Sequence, residues 1–197
     1  MLMKILLGVA VVLVAIIAFI ATRPSTFKIE RSTAMSAPAD VVFALVADFH
    51  GMSAWSPFLK PDPSRKDSCT GAPATVGHSL AWTSSDNSSE GKMTIVSLNP
   101  PEQLQLELEF IKPFKATNET VFRFEQAENG TTVTWVMTGQ LGFVQKAFSV
   151  FMDMDKMVGS DFEKGLATLK TLSEAKAKAK AAAQAAPNGA QVGDSAE

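Results

Sequence analysis

Tyrosine is absent from this chain and cysteine occurs once among 197 residues. The single thiol, Cys69, cannot form an internal disulfide and cannot anchor a multi-cysteine metal site. It says nothing about compartment, because a cysteine-poor domain suits either side of a membrane. The two histidines, His50 and His78, have no partner at metal-ligand or triad spacing, so each reads as a local hydrogen-bonding residue. No glycine-rich phosphate loop or dinucleotide fingerprint occurs. Neither sign of charge dominates: 18 basic and 20 acidic residues give a net charge of −2. Without a basic stripe, no nucleic-acid partner is expected. Beyond the first two dozen residues there is also no long hydrophobic run.

That first run is the most informative feature. Ile5 to Ala21 is apolar throughout apart from Gly8, with Lys4 before it and Arg23-Pro24 after it. As a helix it spans roughly 26 Å at about 1.5 Å per residue, near the ~30 Å hydrocarbon core of a bilayer. Leu2, Met3 and Thr22 can lengthen it, and Lys4 can snorkel to the headgroups. A cleaved signal is the rival. Its apolar region is usually ~7–15 residues, and cleavage after Ala21 would put Phe19 where a small residue is wanted. Residues 1–22 are therefore read as an uncleaved transmembrane anchor, 23–175 as one domain, and 176–197 as an Ala/Lys-rich, largely disordered tail. Lys4 on one side and Arg23, Lys28 and Arg31 on the other leave a weak positive-inside signal. The short leading tail resembles a signal-anchor, so the domain is expected outside the cytoplasm.

The remaining 175 or so residues are enough for one real core. Phe27 and Ile29 alternate with polar neighbours as in a half-buried strand. Pro38 and Asp40 open a short helix with Val42, Leu45 and Val46 inward, which His50-Gly51 breaks. Met52 to Pro57 reads as a second short helix or turn. From Gly71 to Gly139 the period is two: Leu80 with Trp82, Met93 with Ile95, then Leu104, Leu106, Leu108 and Phe110. Phe122 with Phe124 follows, then a turn at Asn129-Gly130, then Val133, Trp135 and Met137. Short sequential strands joined by turns predict an antiparallel meander. The period then lengthens. Phe151, Met154, Val158, Phe162, Gly165, Leu169 and Leu172 mark one face of a long helix, roughly Gln145 to Lys176, with Asp153, Lys156, Lys164 and Lys170 opposite. Ala- and Lys-rich sequence can prolong it until Pro187-Asn188-Gly189, and the remainder to Glu197 is expected to be disordered. The order is strand, two short helices, about six strands and one long helix. This is an α+β arrangement in which the long helix covers the sheet.

Several segments carry a family resemblance: Ala37-Pro38 with Val42-Phe43, Trp55-Ser56-Pro57 with Asp62-Pro63, Gly91 to Ile95, Lys112 to Lys115, and Thr132 to Trp135. The most specific is Phe151 to Gly159, running on to Asp161-Phe162 and Gly165-Leu166. Over roughly Thr26 to Leu172 the chain resembles the SRPBCC superfamily, also called START-like or Bet v 1-like. Within it, the chain looks like membrane-tethered bacterial polyketide cyclase/dehydrase-like proteins. The resemblance implies a helix-grip fold, in which a curved antiparallel sheet wraps around a long C-terminal helix with an apolar cavity between them. It also implies a single-pass protein of the bacterial inner membrane with a periplasmic domain. It does not imply cyclase chemistry, since one fold hosts many functions.

The greasy aromatic content (thirteen Phe, nine Met, three Trp) suits such an interior. Trp55, Trp82, Leu106, Leu108, Phe110, Phe122, Trp135, Met137, Met154, Val158 and Phe162 are the candidate ligand-binding residues, for an apolar small molecule or lipid. Gly159 and Gly165 lie within the long helix, where glycine is unfavourable. Either a cavity or close packing would explain them, and the cavity reading predicts that leucine at 159 fills space. Asp153 and Asp155, two apart on a helix, cannot share a water or a metal, whereas Asp153 and Lys156 can pair at the surface. Asp161 borders the apolar stripe as a capping residue first and an acid second. Asn118 and Thr120 share the parity of Phe122 and form a weak polar spot. No catalytic residue, metal or cofactor is assigned, and the membrane is met through residues 5–21. The alternatives are a cyclase-, dehydratase- or isomerase-type enzyme using one cavity acid, and a ligand-free envelope interaction protein.

Overall fold

The computed structural model describes residues 1–60 and 62–185, apart from the Phe151 side chain. Helix α1 (Leu2–Ala21) is long and apolar enough to cross a membrane, and none of it is buried in the domain. Strand β1 (Thr26–Met35) leads to α2 (Ala39–Val46), which Pro38 precedes in an extended conformation. Two 3-10 turns follow, Met52–Ala54 and Pro57–Leu59. Then come β2 (Arg65–Thr70), β3 (Ser79–Ser84), β4 (Glu90–Asn99), β5 (Gln103–Lys112), β6 (Ala116–Ala127) and β7 (Gly130–Gln140). Helices α3 (Phe143–Phe151) and α4 (Met154–Ala185) complete the chain.

All strand pairs are antiparallel, in the order β1-β7-β6-β5-β4-β3-β2. Strand β1 returns to pair with β7, so the two ends of the strand series meet and only β2 extends the far edge. Register shifts in β4 at Glu90/Gly91 and Ile95/Ser97 bend the sheet. The concave face takes α4 and α2. Phe162, Leu166 and Leu169 of α4 are fully buried with Val42, Val46, Leu104, Phe122 and Val133. Polar ties fix the far part of α4. Lys170 Nζ donates to Ala34 O at 2.8 Å, Glu174 accepts the Ser36 N–H at 2.8 Å, and Lys180 meets Asp40 at 2.9 Å.

Two expectations need correction. The single helix from Gln145 is two helices: α3 ends at Phe151, Met152 is extended, and α4 starts afresh. Asp153 causes the restart, because its carboxylate accepts the Lys156 N–H at 3.0 Å as an N-cap. Its role toward Lys156 is therefore capping, not ion pairing. The other correction is β2, which sequence periodicity missed because an edge strand reading Arg-Lys-Asp-Ser-Cys-Thr buries no continuous face. Helix α4 runs to Ala185, and the stop read at Pro187 lies outside the described residues.

Candidate functional site

Strand parity and sheet curvature leave a cavity of about 430 Å³ between the sheet, the first turns of α4 and the two 3-10 turns. This volume falls within the ~300–1,000 Å³ range of small-molecule sites. Ten of the eleven candidate residues line it: Trp55, Trp82, Leu106, Leu108, Phe110, Phe122, Trp135, Met137, Met154 and Val158. The eleventh, Phe162, does not. It is fully buried behind the wall, stacked on the Trp135 indole with centroids 3.9 Å apart and planes at 7°.

The wall is held in place by its neighbours. Trp55 donates its indole N–H to Leu45 O at 3.2 Å and meets Trp135 edge-on at 5.7 Å. The Trp82 ring lies against Gly91, where any Cβ would collide with it, and meets Phe110 edge-on at 5.9 Å. Sequence reading missed part of the lining: Phe27 and Ile29 from β1, Met93 from β4, and Met52, Phe58 and Leu59 from the 3-10 turns. The register of β1 on β7, with Ile29 opposite Met137, brings in the first pair. The turn residues have no periodicity to betray them.

Polar lining is sparse: Ser56, Arg65, Ser89, Asn118 and Thr120. Asn118 and Thr120 sit opposite Leu108 and Leu106, so the polar spot read from strand parity does face the cavity wall. Among the described residues, the buried side-chain polar atoms without a partner are Thr120 Oγ1 and Trp135 Nε1, both on wall residues. Among the described residues, Arg65 is the one ionisable residue in the wall, and it is engaged. It donates twice to Asp67, at 2.7 and 2.8 Å, and once to Phe58 O at 2.9 Å, tying β2 to the second 3-10 turn. No carboxylate, histidine, cysteine or lysine lines the cavity among the described residues. A wider depression of about 720 Å³ runs along the outer face of the sheet, but Lys28, Gln105, Glu107 and Glu119 line it and it lies open to solvent.

The other singled-out residues lie elsewhere. Gly159 faces Arg31, not the cavity; a Cβ there would strike the guanidinium, so leucine at 159 would displace Arg31 and fill no void. Gly165 admits Pro57 and Trp135, whose atoms would stand 3.0 and 3.1 Å from a Cβ. Both glycines serve close packing. Arg31 joins β1 to α4 through Glu163 at 2.7 Å and Asp155 at 3.1 Å, and its hydrogen bond holds the Asp155 carboxyl below the usual carboxylate range. Asp161 pairs with Lys164 at 2.8 Å on the helix surface.

Asp48, His50 and His78 meet in space although their spacing did not suggest it, with potential ligand atoms within 4.8 Å of one another. The backbone already occupies His78. Its Nε2 accepts the Phe49 N–H at 3.2 Å, and Nδ1 lies 3.0 Å from Thr70 O, which fixes the tautomer with hydrogen on Nδ1. This buried ring therefore pins the segment after α2 to the end of β2. Burial, with Asp48 and Asp67 nearby, pushes the Cys69 thiol up and keeps it protonated.

A family model described as polyketide cyclase / dehydrase and lipid transport matches residues 26–174. No curated protein matches the chain in sequence. Among solved structures, protein CV1439 from Chromobacterium violaceum is similar with a TM-score of 0.54 and 16% identity, covering 77% of this chain and 99% of that one. The Aha1 dimer from Colwellia psychrerythraea gives 0.53 and 16% identity, covering 75% and 96%. The di-domain ARO/CYC StfQ from the steffimycin biosynthetic pathway gives 0.58 at 9% identity, covering 78% of this chain and 53% of that one. At these identities the likeness is one of fold.

Proposed function

The chain belongs to the polyketide cyclase/dehydrase and lipid transport family, and from that premise we propose that it binds an apolar small molecule or lipid-like metabolite in its interior cavity while α1 tethers it to a membrane. The observation that carries this reading is the cavity itself: about 430 Å³ walled by aromatic, Leu, Ile, Val and Met side chains. A hollow of that size forgoes packing contacts along its apolar lining, which a bound apolar molecule would restore. A tether confines the domain to the phase into which such molecules partition, which raises their effective concentration. Acid–base turnover, the other activity in the family's description, needs a titratable group within reach of substrate. Among the described residues the wall offers only Arg65, already bound to Asp67, so binding is the better reading. We place the domain on the extracytoplasmic side of a bacterial inner membrane.

The test is native mass spectrometry of the full chain extracted in mild detergent. A co-purifying molecule that is lost on cavity filling supports the reading. An empty chain that also takes up no apolar probe, such as N-phenyl-1-naphthylamine, overturns it.

A further inference from the structure

We propose that the end of the domain nearest α1 sits on the bilayer, with α3 as its inserted edge, and that the cavity takes its ligand from the membrane through the groove beside α3. The inference rests on the reading of α1 as a membrane span, and its second half also rests on the ligand-binding reading.

The strand register shows which end this is. Thr26 pairs with Gln140, Gly139 with Asn118, Ala116 with Phe110, Lys112 with Glu90, and Ser84 with Arg65. These pairs form one rim of the sheet, and α1 ends beside it. The hollow part of the domain lies at the same rim, because Phe27, Asn118, Phe110 and Met137 line the cavity within a few residues of it.

Apolar side chains gather there in the open. Phe143, Val144 and Phe148 of α3 are 51%, 47% and 57% exposed, and Met152 after it is 47% exposed. Phe114, between Lys112 and Lys115 in the β5–β6 turn, is 54% exposed. Isolated exposed apolar residues are ordinary, but a contiguous group at one end marks an interaction surface. Its occupant follows from its position. Helix α3 packs beside α1, Lys146 Nζ donates to Ser25 Oγ at 3.0 Å, and the Leu141 N–H donates to Ser25 O at 2.7 Å. The amphipathic helix is thus fastened to the root of a helix apolar enough to span a membrane. Arg23, Lys115 and Lys146 lie at the level where cations meet headgroups.

The groove supplies the path. A cleft of about 500 Å³ lies between the Arg23–Thr26 segment, α3 and the start of α4. Phe27 and Met154 line both this cleft and the cavity. Those two side chains form the partition, and methionine is flexible enough to swing aside.

The experiment uses the full chain with Cys69→Ser, reconstituted in phosphatidylcholine–phosphatidylglycerol vesicles. A nitrobenzoxadiazole label is placed on Phe148→Cys, Phe114→Cys or, as a control, Val76→Cys. Val76 is 64% exposed in the β2–β3 loop at the opposite end. Labels at 148 and 114 should be quenched by nitroxide lipids and be several-fold less accessible to aqueous iodide than the label at 76. Equal iodide access at 148 and 76 overturns the membrane seat. Shielding from iodide without lipid quenching also overturns it, and shows that a second copy of the chain covers α3. Uptake of N-phenyl-1-naphthylamine from the same vesicles, read by mass spectrometry, tests the path separately. The double variant Phe143→Ser/Phe148→Ser should slow uptake several-fold while leaving the probe's affinity in detergent unchanged; unchanged uptake sinks the path. A chain seated in lipid that binds no probe in detergent fails the ligand reading and leaves the seat intact.

Discussion

Two leucines on one face of β5 should respond in opposite ways to the same substitution. Leu104 is fully buried, opposite Phe122 and Leu98, in the packed part of the sheet. Leu108, four residues further along the same face of the strand, is half-buried opposite Met93 and Asn118 and lines the cavity. Tryptophan at 104 has no room, and overpacking costs about 1–3 kcal/mol. For a domain of this size that lowers Tm by about 2–12 °C, at roughly 2–4 °C per kcal/mol. Tryptophan at 108 points its extra ring into open volume. If ~50 Å² of added apolar surface is buried there, at about 25 cal/mol per Å² the gain is about 1 kcal/mol, so Tm should hold or rise by a few degrees. The same ring removes space that the ligand needs, and a loss of about 1.4 kcal/mol already weakens binding tenfold. Thermal unfolding of the full chain in detergent, followed by circular dichroism, gives the first quantity. Native mass spectrometry of retained N-phenyl-1-naphthylamine gives the second. If Leu108→Trp lowers Tm as far as Leu104→Trp does, the void is not there. If Tm holds and uptake is unchanged, the ligand lies elsewhere.

Other consequences can be checked alongside. Gly159→Ala should push the Arg31 guanidinium off Asp155 and Glu163, lowering Tm, and the Asp155 carboxyl should titrate closer to the ordinary aspartate range by NMR. Asp86 in the β3–β4 turn has its carboxyl held down to about 2, first by the Ser88 backbone N–H. Its stabilising contribution is therefore present above the ordinary aspartate value of about 3.9 and lost as pH falls from there through about 2. Asp86→Asn should flatten that part of the acid-unfolding curve. Cys69, raised by burial, contributes stability below the ordinary thiol value of about 8.5 that is lost as pH climbs through its higher folded value. Alkylation of the folded chain should be slower than of the unfolded chain at pH 8. Deleting residues 2–22 should move the protein from the carbonate-resistant membrane fraction to the soluble fraction; a full-length chain found soluble refutes the tether.

Strand parity made most of the cavity wall legible, because in a sheet with one covered face the period of two assigns each residue to a side. Leu104, Leu106, Leu108 and Phe110 were readable for that reason, as were Asn118 and Thr120. Neither parity nor helical period says where along an element the packing closes, so Phe162 of α4 looked like wall when it is core. It is also silent where the chain has no period: Met52, Phe58 and Leu59 came from turns, and Arg65 from a polar edge strand. The helical period ran unbroken across Met152-Asp153, since a cap changes the backbone without changing the spacing of apolar residues. The glycines of α4 were ambiguous because absent side chains record close approach and empty space alike; only the position of Arg31 and of Trp135 separates the two.

The structure divides one sheet into two jobs along its length. Away from α1, Leu104, Phe124 and Val133 meet Leu166, Leu169, Val42 and Val46 in a core with almost no exposure. Toward α1 the same strands present Leu108, Asn118 and Met137 to a cavity. If stability alone had shaped the near end, the positions facing Leu106 and Leu108 would be apolar and larger. They are Thr120 and Asn118, and the Thr120 hydroxyl is buried without a partner, which costs about 1–3 kcal/mol. Hydrophobic burial at the far end offsets that cost, so the near end can stay hollow and slightly polar without unfolding the domain. Substitutions at the far end should therefore move Tm and spare uptake, while those at the near end should move uptake and spare Tm. The two sets should add independently when combined, because they are separated along the strands and share few contacts.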